Sequence, residues 1–342
     1  MKILNQRGLL YITVTFLLMI LPSESYSACA ETQATLELDR AILDAGSTDC
    51  MNLWVSYSFY NQSFNVVEAE NNSRTSQLNA WNALRVGLNY PLDHGFKLRG
   101  YFETGGQQGT RVIEPKQVST DFWGTDLRLQ WSKPLLTNNR VAIEAGYRLH
   151  KLPITSYNKL QQGNISATAA PGKSLVDVSA KDDAWFISGV FRSDITDDFS
   201  VHGGLEYRDI EVQASTTSQD PLIQSLLEIQ QVPQATPWQE KHVIISLGMD
   251  WQVLDRVGIG IDYKKYNIQR FNYQIRDKFI DYNESTQIDF YLKYHAESSG
   301  VFFIHSRYIS NYLLGDTPAL YNRRNNHTFK KPFAFVTVGA QF

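Results

Sequence analysis

The reading of the chain turns on ten residues, Val141-Ala-Ile-Glu-Ala-Gly-Tyr-Arg-Leu-His150. Successive side chains of an extended strand point to opposite faces. Val141, Ile143, Ala145, Tyr147 and Leu149 therefore share one face, and Ala142, Glu144, Gly146, Arg148 and His150 share the other. One face is greasy; the other carries charges and small residues. A helical period would scatter those charges into the apolar stripe. The same split recurs at Val243, Ile245, Leu247, Met249 and Trp251 against His242, Ser246, Gly248 and Asp250. It returns at Val257, Ile259, Ile261 and Tyr263 against Gly258, Gly260, Asp262 and Lys264, and at Ile288, Phe290, Leu292 and Tyr294 against Gln287, Asp289, Lys293 and His295.

Outward from these strands, short turns at 91–95, 132–139, 193–198, 252–256 and 297–300 join them into five hairpins. Longer, polar and irregular stretches separate the hairpins, notably 152–182 and 214–239. A first strand near 53–66 and a last at 333–342 bring the total to about twelve strands, with short turns at one end and long loops at the other. That asymmetry predicts an all-β fold, a transmembrane antiparallel β-barrel with short periplasmic turns and long extracellular loops. Proline agrees, because it cannot donate to a sheet ladder. Pro91 and Pro134 fall in short turns, Pro115, Pro153, Pro171, Pro221, Pro233, Pro237 and Pro318 in long loops, and Pro332 opens the last strand, leaving no predicted strand interior interrupted.

The start of the chain reads as an export signal: Lys2 and Arg7, an apolar run over 9–21, and Ala28-Cys29-Ala30 as a cleavage site. The run is shorter than the roughly 18 to 20 residues a membrane helix needs. The predicted organisation is a signal peptide at 1–30, an N-terminal periplasmic or plug segment at 31–50, and a barrel at 51–342. Leu36, Leu38, Ile42 and Leu43 suggest a short helix in the second segment. If cleavage follows Ser27 instead, Cys29 survives and can pair with Cys50 in an oxidising compartment.

Composition narrows the function classes. The 342 residues carry 32 Lys and Arg against 35 Asp and Glu, a formal charge of -3, which argues against nucleic acid as the main partner. With 13% aromatics the chain leans toward strands. These aromatics also fall at strand ends: Tyr90, Phe96, Trp131, Phe191, Phe199, Trp251 and Phe302 beside the short turns, and Trp123, Tyr147, Trp185, Tyr207 and Tyr263 toward the long loops. Membrane interfaces select two such rings. A soluble sandwich points its apolar side inward, so an outer-membrane barrel requires the inverse.

The terminal stretch Phe333-Ala-Phe-Val-Thr-Val-Gly-Ala-Gln-Phe342 resembles the last strand of Gram-negative outer-membrane β-barrels of the porin-like kind, with apolar Ala334, Val336, Val338 and Ala340 alternating before a terminal Phe. The resemblance covers nearly all of the mature chain and implies an outer-membrane location, with Phe342 as the signal read by the barrel-assembly machinery. It specifies architecture and no substrate. The hairpins at 185–207 and 243–263 are similar to those of the Legionella-type major outer-membrane, pore-forming proteins, some of whose members carry cysteine-rich strand turns that this chain lacks.

Inverting the faces places Arg85, Lys97, Arg99, Arg128, Arg148, Arg208, Lys264, Lys293 and Arg307 inside, opposite Glu103, Asp126, Glu144, Glu206, Asp250, Asp262 and Asp289. Twelve strands lie between the eight that side chains fill and the sixteen or more of wide porins. The expected function is passive passage of small polar solutes or ions through a narrow charged lumen; the competing account of the same residues is a salt-bridge network that fills the interior. The alternative functions are a surface adhesin, receptor or structural barrel acting through its loops, and, less favoured, a lipid hydrolase. The hydrolase suffers because His305 and Ser306 are adjacent and take opposite faces, while His242 and Ser246 share a face without a third member. Leu222, Ile223, Leu226, Leu227 and Ile229 have helical spacing, suiting a lid, a helix resting on headgroups, or a plain surface loop. Thr104-Gly-Gly-Gln-Gln-Gly109 lacks the rest of a phosphate loop and reads as a flexible surface loop, and no His/Cys cluster has metal-ligand spacing. No cofactor is expected; the expected partners are outer-membrane lipids, lipopolysaccharide, the assembly machinery and small polar solutes.

Overall fold

The computed structural model describes residues 51–60, 81–109, 118–157, 159–162, 165–168, 175–229, 237–272, 283–296, 300–310 and 333–341. The predicted signal peptide, the 31–50 segment, both cysteines and Phe342 lie outside these residues. The strands are β1 Asn52–Tyr60, β2 Trp81–Pro91, β3 Phe96–Gly109, β4 Val118–Leu136, β5 Asn139–Tyr157, β6 Lys159–Gln162, β7 Ile165–Thr168, β8 Val176–Asp194, β9 Phe199–Thr217, β10 Trp238–Leu254, β11 Val257–Phe271, β12 Glu284–Ala296, β13 Gly300–Ile309 and β14 Phe333–Gln341. Among the described residues one α-helix, α1 Pro221–Ile229, lies between β9 and β10. Twelve strands close into one antiparallel barrel, each beside its neighbour in the chain, while β6 and β7 form a separate hairpin between β5 and β8. Closure joins β1 to β14, from Trp54 opposite Gln341 to Tyr60 opposite Phe335.

The alternation read from the sequence becomes inside and outside. On β10, Ile245 and Leu247 are 54% and 65% exposed, whereas His242 and Ile244 between the outward residues are 0% and 2% exposed. Outward Tyr90, Phe96, Phe191, Trp251 and Phe302 mark the short-turn end, and Tyr147, Trp185 and Tyr263 the loop end. Phe96 sits opposite Trp131, Trp251 opposite Phe199, and Trp185 packs on Tyr207 with ring centroids 5.4 Å apart. Beyond the second ring the outer face turns polar, with Lys151 opposite Lys181 and Asp183 opposite Glu211. An apolar band between two aromatic rings fits hydrocarbon bounded by headgroups.

Three expectations need correction. The stretches 152–182 and 214–239 are not irregular throughout: β5 runs to Tyr157, β8 starts at Val176 and β9 runs to Thr217. Above the aromatic ring the outward residues are polar, with Lys151 opposite Lys181, which hides the apolar alternation without ending the ladder. Second, Pro153 lies inside β5 and Pro134 inside β4, each beside a register shift, at Leu152/Thr155 and Pro134/Leu136. A bulge already lacks the ladder bond that proline cannot make. Third, Thr104–Gly109, expected as a flexible surface loop, is the end of strand β3; of the first strand expected near 53–66, 61–66 lie outside the described residues.

A charge within the apolar band tests the inversion. Leu247→Lys should lower folding stability in lipid by about 2–4 kcal/mol, measured by urea titration in vesicles, whereas Leu247→Val should change little. Equal stability of the Lys variant would mean that this face does not contact hydrocarbon.

Candidate functional site

The inner wall carries a column of charge because every second residue of each strand points inward and the barrel offers no other outlet for them. Thirteen constriction residues were expected there: Arg85, Arg99, Glu103, Asp126, Arg128, Glu144, Arg148, Glu206, Arg208, Asp262, Lys264, Asp289 and Lys293. All thirteen face inward, and twelve are at least nine-tenths buried; the Glu206 side chain is 15% exposed.

The strands bring these residues into hubs. In the first, Arg128 grips Asp126 with two bonds, Nε to Oδ1 at 2.6 Å and Nη2 to Oδ2 at 2.9 Å, and donates Nη1 to Glu144 at 3.1 Å. Arg99 reaches the other Glu144 oxygen at 2.6 Å across the intervening β4, and Arg148 donates to Asp126 at 3.0 Å. Three guanidiniums thus share two carboxylates, in the planar geometry that suits arginine. Arg85 pairs with Glu103 and Arg208 with Glu206 on the same wall.

A second hub centres on Asp289, which accepts bonds from Arg307 Nε at 2.6 Å, Gln287 Nε2 at 2.5 Å and the His305 ring at 2.8 Å. Tyr266 Oη donates to Gln287 at 2.8 Å, and Tyr291 stacks on His305 with centroids 4.4 Å apart. A third joins Glu240 to Arg270 at 2.8 Å, to His242 at 2.9 Å and to Trp238 Nε1 at 3.4 Å. His202 spans β10 to meet Asp262 at 2.7 Å, and Lys293 spans β11 to meet Asp250 at 3.4 Å.

The sequence reading missed part of this. His150 pairs with Asp182 at 3.0 Å, and Glu240, His242, Arg270, Gln287 and His305 belong to hubs. The alternation itself puts His150, His242 and Gln287 on the inward face, though none carries a full charge at neutral pH, while Glu240 and Arg270 lie beyond the stretches of β10 and β11 in which the period is clear. The inner face is also not confined to charges and small residues. Trp54, Tyr291, Val301 and Phe303 form a buried cluster, with Tyr101 against it. Phe186 lies under the Arg128 guanidinium at 4.6 Å and Phe335 under Arg307 at 5.3 Å. A lumen this narrow has volume that arginine and carboxylate alone do not fill, and aromatic faces accept cations.

The waist is consequently filled. Glu240, His242, Tyr266, Gln287, Asp289, Tyr291 and His305 are all 0% exposed. Below them, at the short-turn end, a cavity of about 660 Å³ remains, lined by Arg140, Arg192, Asp194, Asp250 and Lys293 among others. As expected, His305 and Ser306 take opposite faces of β13, and His242 and Ser246 share the inner face of β10.

Buried pairs should dominate the energetics. Arg128→Gln removes three of the hub's bonds, leaving Asp126 to Arg148 and Glu144 to Arg99, and should cost about 1.5–3 kcal/mol in urea unfolding from lipid. Lys265→Gln breaks a pair with Glu284 whose side chains are 43% and 65% exposed, and should cost under about 1 kcal/mol. Similar losses for both would show that the first hub contributes no more than a surface pair.

No protein-family model matches the chain, so the narrower likeness to the Legionella-type proteins stands on the hairpin pattern alone. No curated protein matches it either. Among solved structures, the chain is similar to the NanC porin at 10% identity and TM-score 0.43, over 85% of this chain and 98% of that one. It is similar to the KdgM porin in complex with disordered oligogalacturonate at 10% identity and TM-score 0.41, over 85% and 98%. It is also similar to the Ralstonia pickettii toluene transporter TbuX at 12% identity and TM-score 0.40, over 85% and 88%.

Proposed function

We propose that the protein is a pore of the Gram-negative outer membrane, passing small polar solutes or ions through a narrow lumen whose waist is closed by charged side chains. The observation that supports this most is an inner wall charged along its length and opening, at the short-turn end, into a polar cavity of about 660 Å³. Packing alone does not call for so many ionised groups, since buried ion pairs contribute little over apolar residues of the same volume. In this reading the short turns face the periplasm, lipids and lipopolysaccharide surround the apolar band, and the assembly machinery reads the final strand, including Phe342. Passage requires the Arg128 and Asp289 hubs to part, so conductance is small. Planar-bilayer recording of the purified barrel should show small discrete steps, and Arg99→Ser with Arg128→Ser should enlarge them severalfold. A silent parent and a silent variant would remove the pore.

A second reading is favoured by the complete burial of Asp289 and His305: a filled structural barrel whose loops carry recognition. The helix α1 belongs to this question. Asp220 caps it, accepting from the Leu222 and Ile223 amides at 2.9 and 3.3 Å. Ser218, just before it, donates its hydroxyl to the Leu175 carbonyl and its amide to Gln224 at 2.9 Å. Ile223 is 3% exposed and Leu222 is 72% exposed, so the helix buries one side against the protein. If α1 closes the loop end, deleting 219–235 should raise conductance at least twofold; unchanged steps would leave it without a gating role.

A further inference from the structure

The cavity at the short-turn end is polar without favouring one sign of charge. Arg140, Arg192 and Lys293 line it as cations; Asp194, Asp197, Asp198 and Asp250 line it as carboxylates. Arg192 Nε donates to Asp194 at 2.8 Å and Lys293 to Asp250 at 3.4 Å, and Arg140 has interactions of its own. An incoming ion of either sign is therefore drawn to one set and repelled by the other. A hydroxyl meets no such conflict, because it donates to a carboxylate and accepts from a guanidinium or ammonium, and bonds to ionised partners are the stronger kind. A carboxylate has about four acceptor sites and a guanidinium five donors, so a hydroxyl can join an ion pair without parting it.

Two further observations point to a ligand. Ser200, on the inner face of β9, lies between its register partners Asp194 and Asp250 and lines the cavity. It is 3% exposed, and its hydroxyl has no hydrogen-bond partner within the protein. Buried hydroxyls are normally satisfied, so the partner of this one comes from what the cavity holds. The second is Gly258, on the inner face of β11 opposite Gln252 and Lys293. Its φ lies outside the left-handed region, and a Cβ there would come 3.0 Å from Gln252 Oε1, the end of a flexible side chain. Neither backbone nor packing demands glycine; its effect is to keep open a volume of about 660 Å³ that suits a small molecule.

We propose that this cavity binds neutral solutes carrying several hydroxyl groups, such as a sugar of one or two rings, with Ser200 and the two ion pairs as its hydrogen-bonding wall. The claim that such solutes are cargo rests on the pore reading, with the cavity as its inner mouth; the claim that they bind does not. The test is a saturation-transfer NMR titration of the full folded barrel in a zwitterionic, sugar-free detergent, with maltose, succinate, putrescine and glycine betaine as probes. Maltose should give a saturable signal that the three charged probes fail to displace. Gly258→Leu, which fills the cavity and leaves every charge in place, should weaken maltose binding about tenfold or more. Ser200→Ala should weaken it about fivefold and leave stability to urea unchanged, because the hydroxyl makes no bond within the protein. No saturable maltose signal, displacement by any charged probe, or Gly258→Leu binding maltose like the parent would overturn the assignment. Should Gly258→Leu fail to fold, weakened binding by Ser200→Ala at unchanged stability upholds it, and unchanged binding overturns it. Because binding is read without current, a barrel that binds maltose and never conducts keeps the site and loses the pore. A barrel that conducts and does not bind maltose does the reverse.

Discussion

The pairing of β1 with β14 is the constraint on which the rest depends. Hydrocarbon supplies no partner for a free amide or carbonyl, and each unpaired group costs several kcal/mol, so strands can cross it only in a closed sheet. The register from Trp54 opposite Gln341 to Tyr60 opposite Phe335 removes the last open edge. Once the sheet is closed, outward side chains meet lipid and inward ones meet each other. Leu205, Ile245 and Leu247, each more than half exposed, would be misplaced on a soluble protein; here they are the solvent-facing surface.

Closure also sets the electrostatic problem inside. The ladder places Arg99 directly opposite Arg128 and Asp262 directly opposite Asp289, both unfavourable pairings of like charge. In each case relief comes from a third strand: Glu144 on β5 bonds both arginines, and His202 on β9 bonds Asp262 across β10. Such reach needs a tightly curved wall, because in a flat sheet strands two apart are roughly 10 Å from one another. The narrow circumference of a twelve-strand barrel supplies that curvature. The ion pairs therefore tie together strands that the backbone ladder leaves unconnected, and the wall resists flattening as well as fraying.

The sequence reveals the architecture better than the site. Val141–His150 alone displays the alternation, and its two faces became outside and inside as read; the thirteen candidate charges all followed. Alternation is a local property that one strand carries by itself. Which cation meets which carboxylate is different, because it depends on register between strands far apart in the chain. Nothing near Asp289 in the sequence announces Arg307, or near Glu240 Arg270. Strand length was also poorly legible: β5 and β9 continue past the aromatic ring into stretches whose mixed polarity removes the periodic signal while the backbone pairing persists. Pro153 misled for a related reason, since a bulge that tolerates proline cannot be told from a loop without the partner strand.

Glycine shows how the two levels meet. On the inner face Gly146 is one small residue among the charges of β5, yet its register partner on β8 is Phe186. A Cβ there would come 2.5 Å from the Phe186 ring and 2.6 Å from the Leu127 carbonyl oxygen, so only glycine lets the ring lie flat against the strand. That ring is the surface on which Arg128 rests at 4.6 Å while gripping Asp126 and Glu144. Gly87 does the same for Trp54, its partner on β1, whose indole anchors the apolar cluster with Tyr291 and Phe303. The glycines are thus half of a packing device, and the charge column owes its geometry to rings lying over residues that have no side chain.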